Sequence, residues 1–76
     1  MSSALQTAKE FIPLEKADTD LARRPRALLV GVEGSANLMQ EDGTIRENVP
    51  LQKGVNPLVI RQLRTGGDAD DIWGLY

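Results

Sequence analysis

Histidine and cysteine are both absent from this chain, so any chemistry must come from carboxylates, hydroxyls, lysines and arginines. That removes the imidazole general base, the Ser-His-Asp triad and the thiolate nucleophile. It also removes the usual ligands of a structural zinc ion and any disulfide. Ser35 follows Gly34, but Gly34-Ser35-Ala36-Asn37 is not the G-x-S-x-G elbow and leads into no helix. Two adjacent carboxylate pairs remain, Glu41-Asp42 and Asp70-Asp71. Neighbouring residues on a strand point to opposite faces, so neither pair converges on one reacting atom. The chain reads as a non-enzyme without cofactor or metal.

Two glycine- and acid-rich features invite ligand readings that the spacing does not support. In Gly67-Asp68-Ala69-Asp70-Asp71 a calcium loop would need an oxygen ligand two residues after Asp70, where Ile72 stands. These charges read as a solvated turn that discourages edge-to-edge strand pairing. Thr65-Gly66-Gly67 is followed by no P-loop lysine, and its glycines read as a tight turn with positive φ. The one basic cluster, Arg23, Arg24 and Arg26, could meet phosphates or acidic groups of a neighbouring subunit. No aromatic is interleaved with it, which makes nucleic acid an unlikely partner. Arg61 and Arg64 are opposite in parity, so one of them is expected to face a partner or an acidic strand.

These residues must be positioned by a small domain. The chain has 76 residues, with nine basic and eleven acidic side chains giving a net charge of −2. That balance argues against general affinity for DNA or membrane surfaces. Aromatics make up 4%, too few for a series of base-stacking platforms. No apolar run reaches the ~18–20 residues of a membrane span, and no signal-peptide pattern opens the chain. A core of this size supplies roughly 3–5 kcal/mol. Without disulfides or the usual zinc ligands, the remaining routes to stability are oligomerisation or docking on a larger assembly, with an idealised monomeric core as the alternative.

Strand signals recur about every ten residues, and no segment holds a helical period. Residues 1–14 read as an extended N-terminal arm ending in Phe11-Ile12-Pro13-Leu14, where Pro13 permits only an edge strand or clip. Residues 15–25 read as a solvated connector and residues 26–76 as a β domain. Within it, residues 26–32 form a nearly continuous apolar strand with both faces covered, and Gly31 marks a bulge or a close backbone approach. Residues 36–40 and 45–49 flank Asp42-Gly43, a hairpin signal. Residues 50–56 read as a turn-rich connection. Residues 58–63 and 72–76 read as the last two strands, paired through the Gly-Gly loop. Trp73 shares a face with Leu75, and Tyr76 shares the other with Ile72 and Gly74. The sum predicts an all-β fold: a small antiparallel β-sandwich or barrel of five to six short strands.

The order of motifs also carries a resemblance. It runs through Arg26-Ala27-Leu28, Val30-Gly31, Gly34, Asn48-Val49-Pro50, Gly54, Pro57-Leu58, Arg61, Thr65-Gly66, Ile72 and Leu75-Tyr76. Over Phe11 to Tyr76 this resembles the small head spike-base proteins of tailed phages, prophages and gene transfer agents. The chain departs from that pattern at Gly66-Gly67-Asp68-Ala69, where the family often has Gly-Thr-Thr-Ala. It departs again at Leu29, where an aromatic is common. The resemblance implies a homo-oligomeric ring at a capsid vertex, located in the virion, with the capsid protein and a spike or fibre protein as partners. A tail, head–tail connector or capsid-decoration subunit is the alternative, and a small nucleic-acid-binding β-barrel a more distant one. Expected interface residues are Phe11, Pro13, Arg23, Arg24, Arg26, Arg61, Arg64, Trp73 and Tyr76.

Overall fold

The apolar stretch at residues 26–32 does become a strand, and the fold is wound around it. In the computed structural model, which describes residues 8–76, the strands run in the order β1 (Phe11–Pro13), β2 (Ala27–Val32), β3 (Gly34–Met39), β4 (Ile45–Leu51), β5 (Gly54–Asn56), β6 (Gln62–Arg64) and β7 (Asp70–Leu75). They form two antiparallel sheets, β1-β7-β2-β5 and β4-β3-β6. The chain is an all-β sandwich, with no helix among the described residues. Of the arm expected over residues 1–14, residues 1–7 lie outside the described residues. Its remainder supplies β1.

Between the sheets sits one core, which includes Leu28, Val30, Ala36, Leu38, Leu51, Ile60, Leu63, Ala69 and Ile72. Leu28 and Val30 of β2 and Ile72 of β7 point into it, as a period of two allows. Leu28 and Leu63 are fully buried from opposite sheets. The polar groups drawn inside are satisfied. Asn56 donates to the carbonyls of Gln52 and Gly54 and accepts the Gln52 amide at 3.0 Å. Gln62 donates to Asp20 at 2.7 Å and accepts from Arg64 at 2.6 Å.

The Asp-Gly signal produces a hairpin between β3 and β4. Gly43 takes φ +90 and Asp42 accepts the Thr44 amide at 2.9 Å. Elsewhere the strand expectations need correction. Of residues 58–63 only Gln62 and Leu63 enter a strand: Pro57 lacks an amide donor, and Leu58 donates back to the Asn56 carbonyl at 2.8 Å. Residues 57–61 instead carry the chain from the first sheet to the second and drive Ile60 into the core at 3% exposure. The last two strands do not pair with each other either. β6 joins β3, and β7 lies between β1 and β2. The Gly66-Gly67 segment is thus a crossover between sheets. Seven strands are present because residues 54–56, inside the expected turn region, pair with β2.

Exposed sheet edges are blunted in several ways. β1 is short and carries Pro13, β5 has three residues, and β4 carries Arg46, Glu47 and Pro50 together with a register shift. The β6 edge is covered by the connector, which proves to be a strap: Ala17 donates to the Leu63 carbonyl at 2.8 Å and Leu21 to that of Arg61 at 3.0 Å. Two carboxylates pin it. Asp18 accepts from the Thr65 amide at 3.1 Å, and Asp20 accepts from Gln62 and from Arg61 at 3.0 Å.

The backbone hydrogen bond from Thr65 holds Asp18 below its ordinary value, and the side-chain bonds from Gln62 and Arg61 do the same for Asp20. A carboxylate with a lowered folded-state pKa stabilises above its unfolded value and loses that contribution as pH falls through the folded one. The strap is therefore expected to be fully held above about pH 4 and to loosen progressively below it. Hydrogen exchange at the Ala17 and Leu21 amides checks this: protection should fall in acid before that of β2. Protection that falls at both places together would show the strap is not a separate unit.

Candidate functional site

The first sheet has an outer face that does not match the usual solvated side of an antiparallel sheet. With Leu28, Val30 and Ile72 in the core, the odd-numbered residues of its strands point away from it. Across the register, Pro13 lies beside Trp73, Trp73 beside Leu29 and Leu29 beside Val55, so one row crosses all four strands. The next row is Phe11, Leu75 and Ala27. Phe11 is 65% exposed, and Leu29 and Val55 are 37% and 38% exposed. On the outer face of β2, Ala27 is fully buried while Leu29 is 37% exposed. The expectation that both faces are covered therefore holds at Ala27 and is corrected at Leu29, whose neighbours across the register, Trp73 and Val55, belong to the same sheet.

Asp71 is the one charge that β1, β2, β5 and β7 place on this face. It lies opposite Gly31, between the Val30–Ile72 and Val32–Asp70 pairs. Its φ of +54 is unusual for a residue with a side chain. The indole N–H of Trp73 donates to its Oδ1 at 3.0 Å. Its carboxylate fills the space over Gly31, where any Cβ would collide with it. What approaches the glycine is a side chain, the Asp71 carboxylate, and not the backbone expected from sequence as the alternative to a bulge. The hydrogen bond fixes the indole ring on the outer face, a polar handle on a large apolar surface.

The remaining expected site residues are placed elsewhere. Arg23 pairs with Glu10 at 2.8 Å and stacks over the Tyr76 ring at 4.4 Å. Tyr76 is not in a strand: its ring folds back over Gly74, while its amide donates to the Glu10 carbonyl at 2.8 Å. Arg24 pairs with Glu41 at 3.0 Å. Arg61 meets Asp20 at 3.0 Å and Arg64 reaches Asp18 at 3.9 Å, so both face the acidic strap of their own chain. Arg26 bonds through its amide to the Leu75 carbonyl at 2.8 Å. The structure therefore gathers Phe11, Pro13 and Trp73 on one face and spreads the arginines along the strap and its ends. Leu29 and Val55 belong with the first group. Sequence reasoning missed them because Val55 sits in a turn-rich stretch and Leu29 in a run apolar on both faces.

Asp68 accepts the Ser35 amide at 2.7 Å and its hydroxyl at 3.0 Å, which holds it below its ordinary value. Among the described residues no three acidic groups are placed to hold a metal ion. A groove of about 390 Å³ opens between the β3–β4 hairpin and residues 57–61 and is lined in part by Leu38, Met39, Val49 and Leu58. Compared with protein-family models, curated proteins and solved structures, the chain matches none.

The Arg24–Glu41 ion pair contributes little to stability, since both partners are well exposed. Glu41→Gln, which breaks the pair with Arg24, is expected to change unfolding free energy by less than about 0.5 kcal/mol. A urea titration checks this. A larger loss would mark that pair as part of the fold's anchorage.

Proposed function

We propose that this chain is a structural, non-catalytic subunit of a tailed-phage or phage-like particle. In this reading it forms an oligomeric base on the head, with capsid protein below and a spike or fibre protein above. The observation that carries the reading is the apolar outer face of the first sheet, where half-buried Trp73 shares one row with exposed Leu29 and Val55. Such a face is costly to leave in water and has the character of an assembly surface. The resemblance of Phe11 to Tyr76 to head spike-base proteins supplies the kind of particle. The arginines' engagement with carboxylates of their own chain gives no support to phosphate contact.

Electron microscopy of particles made with and without this protein tests the reading. Loss of density at a head vertex, together with its fibre, is the expected result. Loss at the tail or at the head–tail junction would move the subunit within the same particle. Particles unchanged in structure and composition would overturn the proposal.

A further inference from the structure

We propose that the outer edge of β6 is a binding site for an acidic peptide segment of a partner protein, and that residues 14–21 of this chain occupy it in the partner's absence. The inference goes beyond the function proposed above and does not rest on it.

The strap shows what the site selects. β6 is the last strand of the second sheet, with β3 on its inner side only. On the outer side the carbonyls of Leu63 and Arg61 accept from the Ala17 and Leu21 amides, so the edge takes hydrogen bonds from a passing backbone. Two guanidinium groups select the charge. Arg61 meets Asp20 at 3.0 Å and Arg64 reaches Asp18 at 3.9 Å, while Gln62 and the Thr65 amide donate to the same two carboxylates. Leu14 and Leu21, at the two ends, pack against the core. The site thus reads two apolar ends with acidic residues between them, a complementarity that a partner segment can reproduce.

The same strap is loosely enough held to be replaced. An antiparallel partner matches its neighbour residue for residue. The strap instead uses the step from Ala17 to Leu21 to cover only Leu63 to Arg61, and it bends at Asp18 and Thr19. The Asp18 and Asp20 side chains are 51% and 44% exposed, so water weakens both ion pairs. A cavity of about 310 Å³ remains under the strap, between Leu14 and Lys16 above and Leu63 and Ile72 below. The two ends are anchored independently, by the pairing of β1 with β7 and by fully buried Pro25. The strap can therefore lift without unravelling either sheet.

The probe is a fluorescein-labelled peptide with the sequence of residues 13–22. Its binding is measured by anisotropy on the full chain carrying Asp18→Ala and Asp20→Ala, both at exposed positions. The expected Kd is about 10 µM to 1 mM. The natural chain should bind at least about tenfold more weakly, because its tethered strap competes at an effective concentration of millimolar order. A peptide with asparagine in place of both aspartates should bind the variant at least about tenfold more weakly, and salt should weaken the acidic peptide more than the asparagine one. In the natural chain, millimolar peptide should speed hydrogen exchange at the Ala17 and Leu21 amides and leave Val30 unchanged, a readout that stands even if the double variant does not fold. A folded double variant that fails to bind at about 1 mM overturns the inference. So does binding that the asparagine peptide matches, or exchange at Ala17 and Leu21 that the peptide does not change. Dimers of the natural chain that the peptide dissociates would assign the edge to an exchanged strap of a second copy, and overturn it too.

Discussion

A chain lacking residues 73–76 is expected not to fold. β7 is paired on both sides, so these four residues take with them the Leu75–Phe11 and Leu75–Ala27 pairs, the Gly74–Ile12 and Gly74–Leu28 pairs, and the Trp73 contacts to Pro13 and Leu29. The anchoring bonds of both ends go as well: Arg26 loses the Leu75 carbonyl, and Lys9 and Glu10 lose the Tyr76 backbone. Each such bond is worth about 1 kcal/mol net, and burying a residue such as Leu75 adds about 1.5–3 kcal/mol. A domain of this length holds only about 4–11 kcal/mol in total. Several bonds and the Leu75 burial together consume most or all of that. Circular dichroism and amide NMR should report an unfolded chain. A truncated protein with dispersed amide signals and a cooperative melt would show that β7 is less central than its pairing implies.

Gly67→Ala is expected to cost about 3 kcal/mol or more, a large share of the same total. Gly67 has φ +78, a conformation that costs a side-chain-bearing residue about 1–2 kcal/mol. Its missing Cβ would also press on the Ser35 carbonyl and come within 2.9 Å of the Ala36 Cα. Both obstacles are backbone of β3, which cannot rotate away. The crossover is pinned there by the Ala69 amide, which donates to the same Ser35 carbonyl at 2.9 Å, so the loop cannot lift without moving Ala69 out of the core. Gly54→Ala separates the two causes. Gly54 has φ +102 but nothing within 4 Å of a Cβ, so strain alone acts and a loss of about 1–2 kcal/mol is expected. Urea unfolding of both variants measures the difference. Equal losses would mean the clash at Gly67 is relieved by a small backbone shift.

The same crossover explains why the ending of the chain is read differently from sequence and from structure. Residues 58–63 and 72–76 have β-branched and aromatic residues on either side of two glycines, which locally is the pattern of a hairpin. Nothing local records that Gly67 lies against β3. That contact joins residues about thirty positions apart, and it sends β6 and β7 into different sheets. The hairpin at Asp42-Gly43 was legible because its bonds are local: Gln40, Asp42, Gly43 and Thr44 satisfy one another within five residues.

What the amino-acid sequence determined by itself was the class of the protein: all-β, with a nearly continuous apolar strand over residues 26–32 and an edge strand or clip at Pro13. Period-two apolar residues, glycine and proline carry that information locally, and their physics does not need the rest of the chain. Only the tertiary structure decided which apolar residues are spare. Leu28 and Leu29 are identical side chains one residue apart, yet one is fully buried and the other 37% exposed. The second sheet covers one face of β2 and leaves the other with Trp73, Leu29 and Val55 in a row. The arginine cluster was decided the same way. In sequence it is a basic patch open to any acidic partner, and in the fold Arg23 and Arg24 have met Glu10 and Glu41 of their own chain. Burial and charge pairing are long-range sums over the packed chain, so they become visible only once the two sheets are in place.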